Sequence, residues 1–299
     1  MFPFYQTLDW AEDGASWPHQ DRSEFVTTQD HRWHVQRAGS GPTIILIHGA
    51  GASTHSWADV FAHLVNDFDV ICFDLPGHGF TSRSRTLRST LPSIARRTAA
   101  LFQKISAEPA IIVGHSAGAA IMVRMIAEGL IAPSVCVGVN SALTPFRGPA
   151  GVMFPLMAKL LFYNPFTANV FAFGASEKRR VRRLINQTGS APPQKSIDCY
   201  AKLIQTSSHV AGVLDMMAHW DLSNMANDLQ ALPKNSLFLA GENDKAVPPS
   251  DSHWAASIAP AATSKVLPDY GHLLHEEAPE LTVKIIRQTA VAAGLLQDA

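Results

Sequence analysis

Ser116 sits at the centre of Gly114-His115-Ser116-Ala117-Gly118. Before it runs the apolar Ile111-Ile112-Val113, and after it a helix-forming stretch over 119–128. A serine flanked by glycines two residues either side, between a buried strand and a helix, is the pattern of a nucleophile raised on a sharp turn. The glycines let strand and helix approach closely enough to make that turn. A hydroxyl needs a base to become nucleophilic, and the base needs an acid to orient it. "FLAGENDKAVP" supplies Asp244 just after an apolar run, with Glu242 as the nearest rival acid. "VLPDYGHLLHEEAP" supplies His272 after another, with His275 as the rival base. Gly271, lacking a side chain, is expected to leave room for the imidazole of His272 to swing over the serine. An acyl transfer also needs two backbone N–H groups aimed at the developing oxyanion. Ala117, directly after the serine, is one candidate, and Ala50 in the glycine-rich turn "IHGAGAS" (47–53) is the other.

These residues can cooperate only if a sheet brings strand ends together. "PTIILIHG" (42–49), "VICFDLPGHG" (70–79), "IIVGHS" (111–116) and "VCVGVN" (135–140) read as solid apolar runs, the mark of strands buried on both faces. "SLFLAGEND" (236–244) and "SKVLPDYGH" (264–272) continue the series, and "WHVQRA" (33–38) alternates like a half-buried strand. Helical patterns fall at 55–65, 117–130 and 280–296. Alternating strands and helices predict an α/β fold, a mainly parallel sheet with helices on both faces. Residues 1–30 read as a polar arm packed on the domain. The alternation fails between Ser141 and Leu232, so we expect a core domain of residues 1–140 and 233–299 with a helical cap inserted over 141–232.

Within that insertion, 151–175 carries one charge, Lys159, over 25 residues. Pro155, Pro165, Asn164 and Asn169 argue against a membrane span, since proline breaks the helix and each asparagine needs a partner. A cap over an apolar pocket is favoured over membrane-surface attachment through 151–175. Phe146, Met153, Phe154, Met157, Met216, Met217 and Trp220 are the expected apolar lining, with Gly49 and His115 at the pocket floor. A bulky hydrophobic small molecule is the ligand this predicts.

The bulk composition narrows the alternatives. Of 299 residues, 24 are Lys or Arg and 25 are Asp or Glu, a formal net charge of −1. Nothing in that balance draws the chain to nucleic acid. Three scattered cysteines, Cys72, Cys136 and Cys199, form no CxxC or Cys/His set, so neither a disulfide framework nor a metal site is expected. GxGxxG and GxxxxGK[ST] stretches are absent, so no nucleotide cofactor is expected either. The N-terminus lacks a basic region followed by an apolar one, which points to a cytoplasmic protein. Serine rather than aspartate at position 116 disfavours chemistry through an aspartyl ester.

With these motifs in place, the chain resembles the α/β-hydrolase fold over nearly its whole length. That resemblance implies an eight-stranded, mainly parallel sheet and a Ser116–Asp244–His272 triad. "SWPHQDRSEFV", "HGAGASTHSW", "DLPGHGFT", "NSALTPFRG" and "HVAGVLDMMAHWDL" resemble more narrowly the magnesium-chelatase accessory proteins of bacteriochlorophyll biosynthesis. The narrower resemblance implies a place beside the insertion of magnesium into protoporphyrin IX. Chelatase subunits are then candidate partners and a tetrapyrrole a candidate ligand. Two roles are open on this footing: a serine hydrolase of esters, thioesters or amides, and a non-catalytic tetrapyrrole-binding or chelatase-assisting protein on a hydrolase scaffold.

Overall fold

The computed structural model describes residues 5–84, 86–144, 167–174 and 178–297. Eight strands form one sheet in the spatial order β1-β2-β4-β3-β5-β6-β7-β8. They are β1 (Ser23–Thr27), β2 (Arg32–Ala38), β3 (Thr43–Ile47), β4 (Asp69–Phe73), β5 (Ile111–His115), β6 (Val135–Val139), β7 (Asn235–Gly241) and β8 (Thr263–Leu267). From β4 through β8 every neighbouring pair is parallel, whereas β2 runs against both β1 and β4. The N-terminal segment read as a polar arm contributes strand β1. Its residues alternate weakly and are only half-buried, as suits an edge strand, so it carries no apolar run to announce it.

The inner strands are buried on both faces, and their period of two splits them between two cores. Ile45, Ile47, Ile71, Phe73, Ile112 and Phe238 point to the face covered by α2 (Leu91–Lys104) and α3 (Ala117–Ala127). Ile44, Leu46, Val70, Ile111, Val113 and Val137 point to the other, covered by α1 (Ala58–Leu64) and by a C-terminal helix over Pro279–Ala292. Removing this much aliphatic surface from water is the main favourable term for such a fold, at about 25 cal/mol per Å2.

Between β6 and β7 the described residues form helices: α4 (Thr167–Gly174), α5 (Lys178–Asn186), α6 (Gln194–Gln205) and α7 (Ser207–Ala218), then short turns up to Ala231. Helix α7 seats on the core through small residues. A Cβ on Gly212 would stand 2.1 Å from the Gly77 carbonyl oxygen, so only glycine permits that approach. On the same helix, His209 accepts a hydrogen bond from the Gly79 N–H (3.1 Å) and donates to the Gly51 carbonyl (3.2 Å). Among the described residues, no helix is long and apolar enough to cross a membrane. Residues 151–166 lie outside the described residues.

Candidate active site

The chain passes from β3 out to β4 on one side and returns to β5 on the other, so the strand order reverses between β3 and β5. In open α/β sheets the crevice at such a reversal, beyond the carboxyl ends of the strands, is where ligands bind. Ser116 follows β5 there, and the turn starting at His48 follows β3. Asn140 follows β6, Asp244 follows β7, and His272 follows β8.

Ser116 adopts φ 51° and ψ −118°, a left-handed conformation rare for a residue with a side chain and one that costs on the order of 1–3 kcal/mol. Its neighbours hold it there. The Ser116 N–H donates to the Val139 carbonyl at 3.0 Å, and the Ser116 carbonyl accepts from the N–H groups of Ala119 (3.1 Å) and Ala142 (3.2 Å). Both flanking glycines are needed for close approach. A Cβ on Gly114 would lie 2.6 Å from the Ala119 Cα, and one on Gly118 would lie 2.4 Å from the Ile47 carbonyl oxygen.

Gly49 backs directly onto the serine, since a Cβ there would lie 3.0 Å from the Ser116 Cβ and 2.8 Å from His115 Nδ1. This contact sets the turn bearing Ala50 beside Ser116. Ala117 is the first residue of α3, so its N–H has no carbonyl one turn back within the helix.

His272 Nδ1 lies 2.8 Å from Asp244 Oδ2, and both side chains are buried. The Asp244 carboxylate meets three further donors: Asn140 Nδ2 at 2.7 Å on Oδ2, and the N–H groups of Ala246 (2.8 Å) and Val247 (2.9 Å) on Oδ1. In the neutral ring, an acceptor at Nδ1 selects the tautomer that carries its proton there and its lone pair on Nε2. Glu242 is exposed, and only its backbone N–H is engaged, with the Leu267 carbonyl. The other rival, His275, is fully buried against Ser56, whose Oγ lies 2.8 Å from its Nε2.

Gly271 has a different reason to be glycine from the one its position suggested. A Cβ there would stand 2.3 Å from the carbonyl carbon of Gly189 and 2.5 Å from Ser190 Oγ. The space belongs to the segment that follows α5, not to the swing of the imidazole. Ser190 Oγ also accepts the Leu273 N–H at 2.7 Å, so the insertion between β6 and β7 clasps the histidine loop.

His115 donates from Nε2 to the His272 carbonyl at 2.9 Å, and the two rings lie 4.8 Å apart. Burial, reinforced by His275 and His272 nearby, pushes the His115 pKa well below the usual imidazole range, so the ring is neutral. Asp74 is another buried carboxylate. Burial alone would raise its pKa, but His34 (Nδ1 to Oδ2, 2.8 Å) and the Thr54 and Phe80 N–H groups reverse the effect and hold it ionised.

A cavity of about 320 Å3 opens beside His272 and His115. Its walls are mainly apolar: Ala50 and Leu273 from the core loops, Ile185 from α5, Tyr200 and Ile204 from α6, and Val210, Val213 and Leu214 from α7. Met216 and Trp220 are not among its lining residues. Met216 is buried in the core beneath α7, and Trp220 packs at the edge of that core. Phe146, Met153, Phe154 and Met157 lie outside the described residues. Among the described residues, no group of three or more His, Cys, Asp or Glu is arranged to hold a metal ion.

Two parts of the site had no signal in the sequence. Asn140, with φ 47°, buttresses Asp244 from the neighbouring strand. Behind the cavity wall, Glu276 Oε1 accepts from Tyr200 Oη (2.7 Å) and Ser56 Oγ (2.5 Å), and the Ser196 side chain also hydrogen-bonds the carboxyl group. Burial drives the Glu276 pKa up to about 7.

The sheet order, the turn at Ser116 and the loops converging on it define an α/β hydrolase, and the model for that fold family matches residues 42–279. The chain belongs to the α/β-hydrolase fold family. Within it, the chain is 39% identical over 269 residues, 89% of its length and 93% of the relative's, to the magnesium-chelatase 30 kDa subunit of Rhodobacter capsulatus. It is also 26% identical over 242 residues to a pimeloyl-[acyl-carrier protein] methyl ester esterase of Stenotrophomonas maltophilia, covering 80% of this chain and 89% of that one. Among solved structures, an α/β-hydrolase fold protein from Burkholderia ambifaria superposes with a TM-score of 0.74 at 20% identity. That match covers 95% of this chain and 100% of the other.

Proposed function

We propose that the chain is a serine hydrolase acting on an ester, thioester or amide with a bulky apolar portion. The observation that carries this reading is the Asp244–His272 contact, with Asp244 held by the Asn140 amide and the N–H groups of Ala246 and Val247, at the strand ends that flank Ser116. In this reading Ser116 Oγ attacks the carbonyl carbon and His272 Nε2 takes its proton. Asp244 steadies the imidazolium so formed, while the N–H groups of Ala50 and Ala117 stabilise the tetrahedral oxyanion. The proton then passes from His272 to the leaving group. Water, activated by the same nitrogen, releases the acyl chain. Residues 141–232 serve as the cap, and their apolar walls over the cavity select the substrate.

A fluorophosphonate probe tests this. The wild type should be labelled covalently, and Ser116→Ala should not be. A folded wild type that resists labelling refutes the hydrolase.

The likeness to a magnesium-chelatase subunit favours a second reading, in which the capped cavity holds a tetrapyrrole beside chelatase subunits without turnover. The two part on one variant. If Ser116→Ala still supports magnesium insertion as well as the wild type, hydrolysis is not the biological task. If insertion fails with Ser116→Ala, it is.

A further inference from the structure

Helix α5 reads Lys178-Arg179-Arg180-Val181-Arg182-Arg183-Leu184-Ile185-Asn186. Five of the chain's 24 basic residues fall in its first six positions, and no Asp or Glu occurs from 178 to 197. In a protein of net charge −1 this is a sharp local excess of positive charge. The helix has two sides with different work. Val181 and Ile185 are buried, packing against Ile197, Tyr200 and Ala201 of α6 and against Leu273 beside the histidine loop. Arg179, Arg180, Arg182 and Arg183 are exposed, and Leu184, 52% exposed, stands among them. Arg182 donates to the Gln194 side chain.

We propose that the outer face of α5 docks the protein on an anionic phospholipid surface. Three observations favour a bilayer over an acidic protein. The cations are four arginines to one lysine, and a guanidinium offers a planar fork of donors that matches a phosphate group. A large exposed aliphatic side chain amid arginines is what an interfacial helix sinks to headgroup depth. Finally, the opposite side of the same helix supplies a cavity wall, Ile185, and the turn after it supplies Thr188. A bilayer against α5 therefore lies one helix diameter from an apolar cavity, and apolar ligands reside in bilayers. This inference does not depend on hydrolysis, and it concerns α5 rather than the apolar stretch 151–175, whose one charge is Lys159.

Vesicle co-sedimentation tests it, using phosphatidylglycerol–phosphatidylcholine vesicles against pure phosphatidylcholine. The wild type should sediment with the anionic vesicles only, and added salt should release it. Each basic side chain near an anionic surface strengthens partitioning about fivefold, so Arg179→Gln/Arg183→Gln should weaken it about 25-fold. Lys104→Gln/Lys265→Gln makes the same change in net charge at exposed sites elsewhere and should stay within about twofold of the wild type. Ser116→Ala should bind as the wild type does, which separates failure of this inference from failure of the hydrolase reading. Equal binding to both kinds of vesicle, binding to neither, or an equal loss in the Lys104/Lys265 control overturns the proposal.

Discussion

Glu276 offers a stability test that needs no substrate. Its carboxyl group is fully enclosed, with Oε1 shared by Tyr200 and Ser56 and a further hydrogen bond from Ser196. Burial raises its pKa from 4.5 to about 7. Below pH 4.5 the group is protonated in both the folded and unfolded chains and makes no difference between them. Between 4.5 and about 7 the unfolded chain gives up its proton while the folded one keeps it, so stability falls as pH rises. Above that window both are ionised, and the full cost of the buried charge remains. At 1.36 kcal/mol per pKa unit the loss across the window is about 3 kcal/mol. Glu276→Gln keeps an acceptor for Tyr200 and removes the titration. The other titrating groups are common to both proteins and cancel in the difference. Urea unfolding of both proteins, run at several pH values through the window, should show the wild type losing about 3 kcal/mol relative to the variant as pH rises. A difference that stays constant with pH refutes the reasoning, because Glu276 would then titrate alike in both states.

Asn140→Gly retains the left-handed backbone at φ 47° but removes one charge-assisted donor from Asp244. The kcat/KM for a chromogenic ester should fall roughly tenfold to hundredfold, as expected for a bond of about 1.5–3 kcal/mol; a change within about twofold would make Asn140 dispensable. Gly118→Ala places a Cβ 2.4 Å from the Ile47 carbonyl oxygen and 2.7 Å from that of His48, both backbone atoms that cannot step aside. Chemical denaturation should register a loss of at least about 2 kcal/mol.

The parts legible in the sequence share one cause, which is that strong local constraints leave local marks. Strands β3 to β7 are buried on both faces over most of their length, so each is mainly apolar. The turn at Ser116 brings α3 within a methyl group of β5 at Gly114 and of the end of β3 at Gly118, so neither position has room for a side chain. What stayed hidden depends on contacts between segments distant along the chain. β1 is half-buried at an edge and needs no pattern. Asn140 matters because β6 lies beside β7, a fact of strand order that no stretch around residue 140 encodes. Gly271 was legible as a position that must be small, but its neighbour Gly189 lies across the insertion, and so the reason was not. Met216 marks another limit: apolar composition points to burial, and burial alone does not separate a core residue from a cavity wall. Glu276 is the limiting case. "HLLHEEAP" gives adjacent glutamates, yet Glu276 is enclosed with Tyr200 and Ser56 while Glu277 meets the N–H groups of Gly271 and Ala191. Which of the two is buried follows from the angle at which a single helical turn leaves the histidine loop. The loop that carries His272 therefore leads directly into a buried carboxyl group whose titration is coupled to folding.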